Sequence, residues 1–390
     1  MAAPTDGSLD LLVRENDPRQ CRFVEGPAPD PAALDDGELL VRVEKFGLSA
    51  NNVTYAVLGK SALINYFDFF PTNEAGWGRV PVWALGTIAA SRHRELARGD
   101  RMYGYFPLAR YARLRPARLT PQGFEVERGG LPAAYNQYTL TRSDPFYLPA
   151  QEDAMIVFRP LVLTGILLDD FIADGNGWFG ADSVAIASAS SKTSFALAFR
   201  LARRRSGRAI VGLTSARNAS FVKGLGLYSE VVTYDEIREL PSDRSAVFVD
   251  VAGDGGVRGA LQARFGSSLK ATITVGLSHW DKAAAVSAGG GGTTSGVAPA
   301  GGGETASVSA SGEGPTLLFF APGWVEKRRA DWGAAELGKR ITGAWREFMG
   351  SVDRWVHIVR GEGKDAVADV YARMVGGRCG PDEAHVLTLW

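Results

Sequence analysis

Residues 182–214 decide the fold. They read Asp182-Ser183-Val184-Ala185-Ile186-Ala187, then Ser188-Ala189-Ser190-Ser191-Lys192-Thr193-Ser194, then Phe195-Ala196-Leu197-Ala198-Phe199-Arg200-Leu201-Ala202. After the basic Arg203-Arg204-Arg205 comes Arg208-Ala209-Ile210-Val211-Gly212-Leu213-Thr214. A compact apolar run, a hydroxyl-rich turn, a helical pattern and a second apolar run make a strand–turn–helix–strand unit. The rhythm continues with a helix over Asn218 to Gly224 and strands over Glu230 to Thr233, Ser245 to Val251 and Ala271 to Gly276. Strands alternating with helices call for a parallel, doubly wound sheet. Right-handed crossovers place its ligand at the carboxyl ends of the strands.

Upstream the pattern is different. Glu38 to Phe46 reads as a half-buried strand and Val82 to Ala90 as a second. The turn Arg98-Gly99-Asp100-Arg101 leads into a third, Met102 to Phe106. Short strands punctuated by Gly and Pro suggest a small barrel. Downstream, residues 283–315 are rich in Gly, Ala and Ser with almost no large apolar side chain, which predicts a disordered insertion. Ordered sequence resumes at Leu317-Leu318-Phe319-Phe320-Ala321-Pro322, and Ala384 to Leu389 looks like a closing strand.

Composition bounds the function. The 390 residues suggest roughly two domains. Lys plus Arg equals Asp plus Glu at 43 each, which argues against a dedicated nucleic-acid binder. The two cysteines, Cys21 and Cys379, make no disulfide framework. With His93, His279, His357 and His385 they form no CxxC or HExxH, so no metal is expected. No apolar run is long enough to span a bilayer and no signal peptide is evident, so a cytoplasmic protein without a membrane partner is expected.

Gly37-Glu38-Leu39-Leu40-Val41-Arg42-Val43, Phe46 to Tyr55, Arg98 to Tyr103, and Ala366 to Gly377 followed by Val386 to Leu389 together resemble the medium-chain dehydrogenase/reductase superfamily, in its zinc-free quinone-oxidoreductase-like branch. SANN, SASSKT and FFAPGW look like an uncharacterised side branch of it. The order of these motifs along the chain persuades more than any single one. The resemblance implies an α/β protein with a GroES-like β-barrel catalytic domain and a Rossmann doubly wound parallel sheet. Residues 1–150 would form the first part of the catalytic domain, 151–320 the Rossmann domain, and 321–390 a segment returning to the catalytic domain.

The first strand–helix turn holds no glycine, where a dinucleotide fold normally needs glycines for the backbone to approach pyrophosphate. Ser190, Ser191 and Thr193 hydroxyls, helix N-terminal amides and the Lys192 ammonium still suit a phosphate. The plain alternative is a Ser/Thr cap with a solvated lysine. A Walker loop is rejected, since Ser191 and Ile186 stand where it needs glycine. After the second strand, Ser215, Arg217 and Asn218 replace the acid that NAD sites use, favouring NADP(H) or, more simply, a helix cap. In the resembled family a tyrosine like Tyr234 lies beside that phosphate, the backbone at Gly276 approaches the nicotinamide, and Thr164-Gly165 matches a pair abutting the cofactor. Each has an equally plain packing explanation.

For chemistry the resemblance points to Asn51, Asn52 and Tyr55. Hydride delivered to an enone or quinone leaves an enolate-like oxygen that an amide or phenol can stabilise and, for tyrosine, protonate. Tyr66 is a further candidate, although its run Tyr66-Phe67-Asp68-Phe69-Phe70 reads more simply as an apolar pocket wall or interface. The cysteine and Gly-His-Glu of zinc relatives are missing, so zinc-independent chemistry is expected. The leading expectation is an NADPH-dependent reductase acting on an activated C=C bond or a quinone, with a planar or apolar small-molecule substrate. A non-catalytic NADP-binding regulator, or a lyase or isomerase using the same cleft, remains open. A homodimer through the Rossmann sheet edge is also open, because relatives pair there and the insertion lies close to that edge.

Overall fold

The computed structural model describes residues 6–61, 65–128, 131, 133–241, 243–275, 306–307 and 314–390. It is a two-unit α/β protein, with a GroES-like β unit and a Rossmann unit. One unit comprises Met1–Arg159 with Val356–Trp390, the other Pro160–Trp355. The chain thus re-enters the first unit at Val356, and residues 321–355 belong to the second.

The first unit opens with β1 (Ser8–Arg14), β2 (Asp17–Gly26), β3 (Leu39–Leu48) and the helix α1 (Ala50–Val57). There follow β4 (Trp77–Arg79), β5 (Pro81–Ser91), β6 (Arg101–Pro107), β7 (Tyr111–Leu114), β8 (Pro116–Thr120), β9 (Gly123–Val126) and β10 (Gln137–Leu140). A small sheet runs β2-β1-β4, and a larger one carries β3, β5, β6, β10, β9 and β8 in that order, with β7 also on β3. β3 is more deeply buried than half-buried alternation predicts: Leu39, Leu40 and Val41 are all inaccessible. The helix α2 (Glu152–Asp174) lies so close that a Cβ at Gly47 would meet Val157 at 3.1 Å.

An ionic cluster sits at the start of α2. Lys45 reaches Glu152 at 2.6 Å and Asp153 at 2.5 Å. Arg101 grips Glu152 with two guanidinium nitrogens and Glu44 at 2.7 Å, while the Tyr147 hydroxyl donates to Glu152 at 2.5 Å. Carboxylates in the first turn also face the positive end of the helix dipole. Burial alone would raise the Glu152 pKa, but the hydrogen bonds from Arg101, Lys45 and Tyr147 outweigh it and pull it down to about 2.

The second unit holds β11 (Ser183–Ile186), α4 (Lys192–Arg203), β12 (Ala209–Thr214), α5 (Ala219–Gly224), β13 (Glu230–Thr233), β14 (Ala246–Asp250), α6 (Gly255–Phe265), β15 (Leu269–Thr274), β16 (Ala306–Ser307) and β17 (Thr316–Leu318), with a short helical turn α3 (Asn176–Phe179) before them. Its sheet order is β13-β12-β11-β14-β15-β17-β16, all parallel except β16. That is the Rossmann order 3-2-1-4-5-6 with one added edge strand. The edge strand corrects the expectation for residues 283–315. Ala306 and Ser307 pair with Leu317 and Thr316, because the open edge of β17 offers unpaired backbone groups. Most of that insertion, with Gly276 and His279, lies outside the described residues.

The helices Ala321–Trp332 and Ala334–Met349 complete this unit. The chain then returns through β18 (His357–Glu362), the helix Gly363–Val375 and β19 (Glu383–Thr388), and β19 slots between β18 and β3. Among the described residues, no helix is long and apolar enough to cross a membrane.

The sign of the Glu152 shift sets an acid-stability prediction. Its folded pKa, about 2, lies below its ordinary 4.5. The unfolded chain therefore takes up the proton first, and this contribution, complete above pH 4.5, fades as pH falls from 4.5 towards 2. Glu152→Gln should lower stability at pH 7 and flatten the loss between those pH values, as read from urea midpoints at pH 7 and pH 3. An unchanged slope would mean the cluster contributes nothing to folding.

Candidate functional site

Two groups of the singled-out residues assemble, one in each unit. In the second unit β11 ends at Ile186 and the chain turns through Ser188 to Ser191 into α4. The Rossmann spacing Gly-x-Gly-x-x-Gly falls on Ala189, Ser191 and Ser194. Each position has a contact of its own. Ala189 is buried, and its carbonyl accepts from the Tyr228 hydroxyl at 2.8 Å. Ser191 caps α4, its hydroxyl oxygen accepting the Ser194 N–H at 3.2 Å. Ser194 is fully buried, and its hydroxyl donates to the Ala187 carbonyl at 2.9 Å. A glycine would allow close helix–strand packing at that point, and the serine instead bonds the strand it packs on.

Ser188 adopts φ 50°, the left-handed conformation that otherwise favours glycine. Its N–H donates to the Tyr234 hydroxyl at 3.0 Å, so Tyr234 does reach the turn. Tyr228 carried no signal in the sequence. It reaches Ala189 because Gly212 leaves room, since a Cβ there would meet the Tyr228 ring at 2.9 Å. Burial pushes the Tyr228 phenol well up, so it stays a neutral donor.

The end of β12 faces the same turn. Asn218 donates its side-chain N–H to the Ser190 hydroxyl at 3.1 Å. Ser215 opens the short 3-10 turn Ala216–Asn218, in which Arg217 is exposed. Ser190, Ser191, Lys192 and Thr193 are all half-buried around the α4 N-terminus. The segment 214–218 contains hydroxyls, an amide and a guanidinium but no carboxylate. This donor set fits a phosphate-bearing group and fits a 2′-phosphate better than a bare ribose. Thr164 is placed otherwise. Its hydroxyl donates to the Pro160 carbonyl one turn back in α2, and Gly165 serves close packing, since a Cβ there would meet the Leu197 backbone nitrogen at 2.9 Å.

In the first unit α1 carries the other group. Asn51 and Tyr55 lie one turn apart, and the Asn51 amide donates to the Tyr55 oxygen at 2.6 Å. The Trp83 indole N–H donates to the same oxygen at 3.1 Å. A phenol oxygen has two lone pairs and one proton. With both lone pairs engaged, the Tyr55 oxygen is held in a fixed orientation. Burial raises its pKa well above the ordinary phenol value, helped by Tyr135 and opposed by the Trp83 hydrogen bond. The Tyr55 ring lies 4.6 Å from Tyr66 and 5.4 Å, edge-on, from Tyr105.

Asn52 has a different job. Its side-chain oxygen accepts the Ser49 N–H at 2.9 Å and its amide donates to the Pro81 carbonyl at 3.0 Å. It is buried and fastens α1 to β5. The aromatic run is core and not a surface interface: Tyr66, Phe67 and Phe69 are all buried in one cluster. Tyr66 shares a 3.4 Å hydroxyl contact with Tyr135, and burial raises its pKa far above the usual range.

Comparison with solved structures matches this geometry to a class of fold. CurA from Vibrio vulnificus, crystallised in complex with NADPH, aligns with a TM-score of 0.61 and 12% identity over 97% of this chain and 98% of that one. The yhdH oxidoreductase from Salmonella enterica in complex with NADP aligns at 0.52 and 14% identity, covering 98% and 100%. A quinone oxidoreductase from Coxiella burnetii aligns at 0.52 and 11%, covering 98% and 99%. The chain therefore shares the fold of these structures, a GroES-like β unit with a Rossmann unit. No curated protein matches the sequence. The chain belongs to the DUF2855 family, described as a protein of unknown function, whose model matches residues 46–380.

The serine turn makes a stability prediction. Ser194→Ala leaves a buried carbonyl without its donor and should cost about 1–3 kcal/mol. Ser191→Ala removes a helix cap and should cost about 1 kcal/mol. The two hydroxyls touch at 2.8 Å, so the double variant should lose less than the sum. Urea denaturation of the three variants tests this, and strict additivity would contradict the coupling.

Proposed function

We propose that the protein is an NADP(H)-dependent, zinc-independent reductase that adds a hydride and a proton across an activated C=C bond or to a quinone. One observation carries the reading: the carboxylate-free donor set of Ser190, Ser191, Lys192, Thr193, Ser215, Arg217 and Asn218 around the α4 N-terminus and the β12 end. The likeness to oxidoreductases crystallised with NADPH or NADP supports it at the level of fold.

In this reading Lys192 and Arg217 supply positive charge to the phosphates, and Ser190, Ser191 and Thr193 supply hydroxyl donors. Tyr234 holds the Ser188 amide and keeps the turn in shape. NADPH, when bound, supplies the hydride. Tyr55 donates its proton to the oxygen or carbon that becomes basic, and Asn51 and Trp83 keep its oxygen oriented while it does so. The aromatic content of the first unit suggests a planar or apolar acceptor.

A second reading is a non-catalytic NADP-binding protein on the same scaffold. The missing glycines of the first strand–helix turn favour it, because they depart from the pattern of a dinucleotide-binding turn.

Titration with NADPH, NADH and adenosine 2′,5′-bisphosphate, followed by tryptophan fluorescence, tests the cofactor. NADPH should bind at least about tenfold more tightly than NADH, and Arg217→Ala and Lys192→Ala should each weaken NADPH binding by about tenfold or more. No saturable binding at millimolar nucleotide sinks both readings. With NADPH bound, Tyr55→Phe should cut turnover of enones or quinones by about 10²–10⁴ while leaving the NADPH affinity unchanged. Tight binding with no turnover across that panel would leave the non-catalytic reading.

A further inference from the structure

The C-terminal strand carries a cluster that the reductase reading does not use. β19 begins at Glu383, and residues two apart on a strand share a face, so Glu383 and His385 project together. The turn before the strand folds Cys379 onto them. Its closure is visible in two hydrogen bonds, Glu383 N–H to the Gly380 carbonyl at 3.2 Å and Gly380 N–H to the Glu383 carboxylate at 3.0 Å. Gly380 is needed for this approach, because a Cβ there would lie 3.2 Å from the Glu383 Cγ and 2.7 Å from an Asp382 oxygen. The Cys379 sulfur, a Glu383 oxygen and a His385 nitrogen all lie within 4.8 Å of one another, and His385 Nε2 is 3.0 Å from Glu383 Oε2.

We propose that Cys379, Glu383 and His385 form a binding site for a zinc-class transition-metal ion, with water completing a tetrahedron. A zinc tetrahedron built on sulfur, nitrogen and oxygen ligands places them about 3.3–3.6 Å apart. The Glu383–His385 separation already matches, and the thiol need close by only about 1 Å. Thiolate and imidazole select borderline metals such as Zn²⁺ or Co²⁺ over Ca²⁺ or Mg²⁺, which prefer oxygen. Thiolate plus carboxylate carry two negative charges, which a divalent ion neutralises. The facing cation is Arg373, 3.7 Å from the Glu383 carboxylate, and it also pairs with Asp369 at 3.0 Å.

The imidazole is 1% exposed, so the ion would be held against the sheet and not on a mobile surface loop. In register, His385 lies opposite Leu48, the last residue of β3 before α1. A bound ion would staple the turn at Cys379 to the strand that pairs with β3. The spacing Cys-x-x-x-Glu-x-His matches neither CxxC nor HExxH, which is why the sequence gives no zinc signal here. The proposal does not rest on the reductase reading.

The test is metal loading of the full chain after treatment with a chelator. Co²⁺ should bind at one equivalent, with a thiolate-to-cobalt charge-transfer band in the near ultraviolet and tetrahedral d–d bands in the visible. Zn²⁺ should displace it and raise the melting temperature. Cys379→Ser, at a half-buried position, should abolish the charge-transfer band and weaken Zn²⁺ binding at least tenfold, and Glu383→Gln should weaken it as well. Cys21→Ser should leave both unchanged. His385→Gln is less informative alone, since burial of the new amide threatens folding. Failure to take up one equivalent, a charge-transfer band that survives Cys379→Ser, or one that disappears with Cys21→Ser overturns the proposal.

Discussion

The first unit depends on a pairing between the ends of the chain. β19 lies between β18 and β3, with His385, Val386 and Leu387 opposite Leu48, Gly47 and Phe46. Without it β3 would show an open edge at Phe46, Gly47 and Leu48. The last residues reinforce the closure: Thr388 donates to the Glu44 carbonyl at 2.7 Å and the Trp390 indole to the Val43 carbonyl at 2.6 Å. Contacts of this sequence separation cost loop-closure entropy, and the parallel β18–β19 pair and the helix between them help to offset it. The same strand pairing holds the end of β3 from which α1, with Asn51 and Tyr55, departs.

The second unit shows how a Rossmann turn closes without glycine. Glycine serves there by leaving space and by accepting unusual backbone angles. This chain puts serine at two of the three glycine positions, Ser191 and Ser194, and each hydroxyl satisfies a backbone group that the turn leaves open. Two tyrosines brace the same loop, Tyr228 on a carbonyl and Tyr234 on an amide. The turn is thus cross-braced by hydrogen bonds, and hydroxyl-lined where a dinucleotide-binding turn ordinarily carries glycine. Pre-organisation of that kind lowers the ordering cost of binding an anion, and the same hydrogen bonds must rearrange if a ribose is to pass between Ser190 and Asn218.

Much of this was legible in the residues. The alternation over 182–275 identifies a doubly wound sheet because apolar runs of strand length separated by helical patterns have few other packings. The carboxylate-free end of β12 and the Ser-rich turn could be read for the same reason, since they are local in sequence. Asn52 was misleading. Its neighbour Asn51 has the same chemistry one residue away, and only the helix phase decides that Asn51 meets Tyr55 while Asn52 meets Ser49 and Pro81. The aromatic run 66–70 likewise reads as an apolar pocket wall or interface, whereas the 3-10 turn buries Tyr66, Phe67 and Phe69 in the core.

What the sequence by itself determined is the set of local choices: where strands and helices form, which turn lacks glycine, and which charges are missing beside it. These follow from side-chain period and backbone preference within a few residues. Tertiary structure alone decided the rest. Trp83 meets Tyr55, Tyr228 meets Ala189, Lys45 and Arg101 meet Glu152, and Cys379 meets His385 through a turn closed on Gly380. Most of these partners come from different strands and helices, and those nearer in sequence face each other only because of a turn. Their distances are set by sheet register and close packing, and no spacing along the chain encodes them.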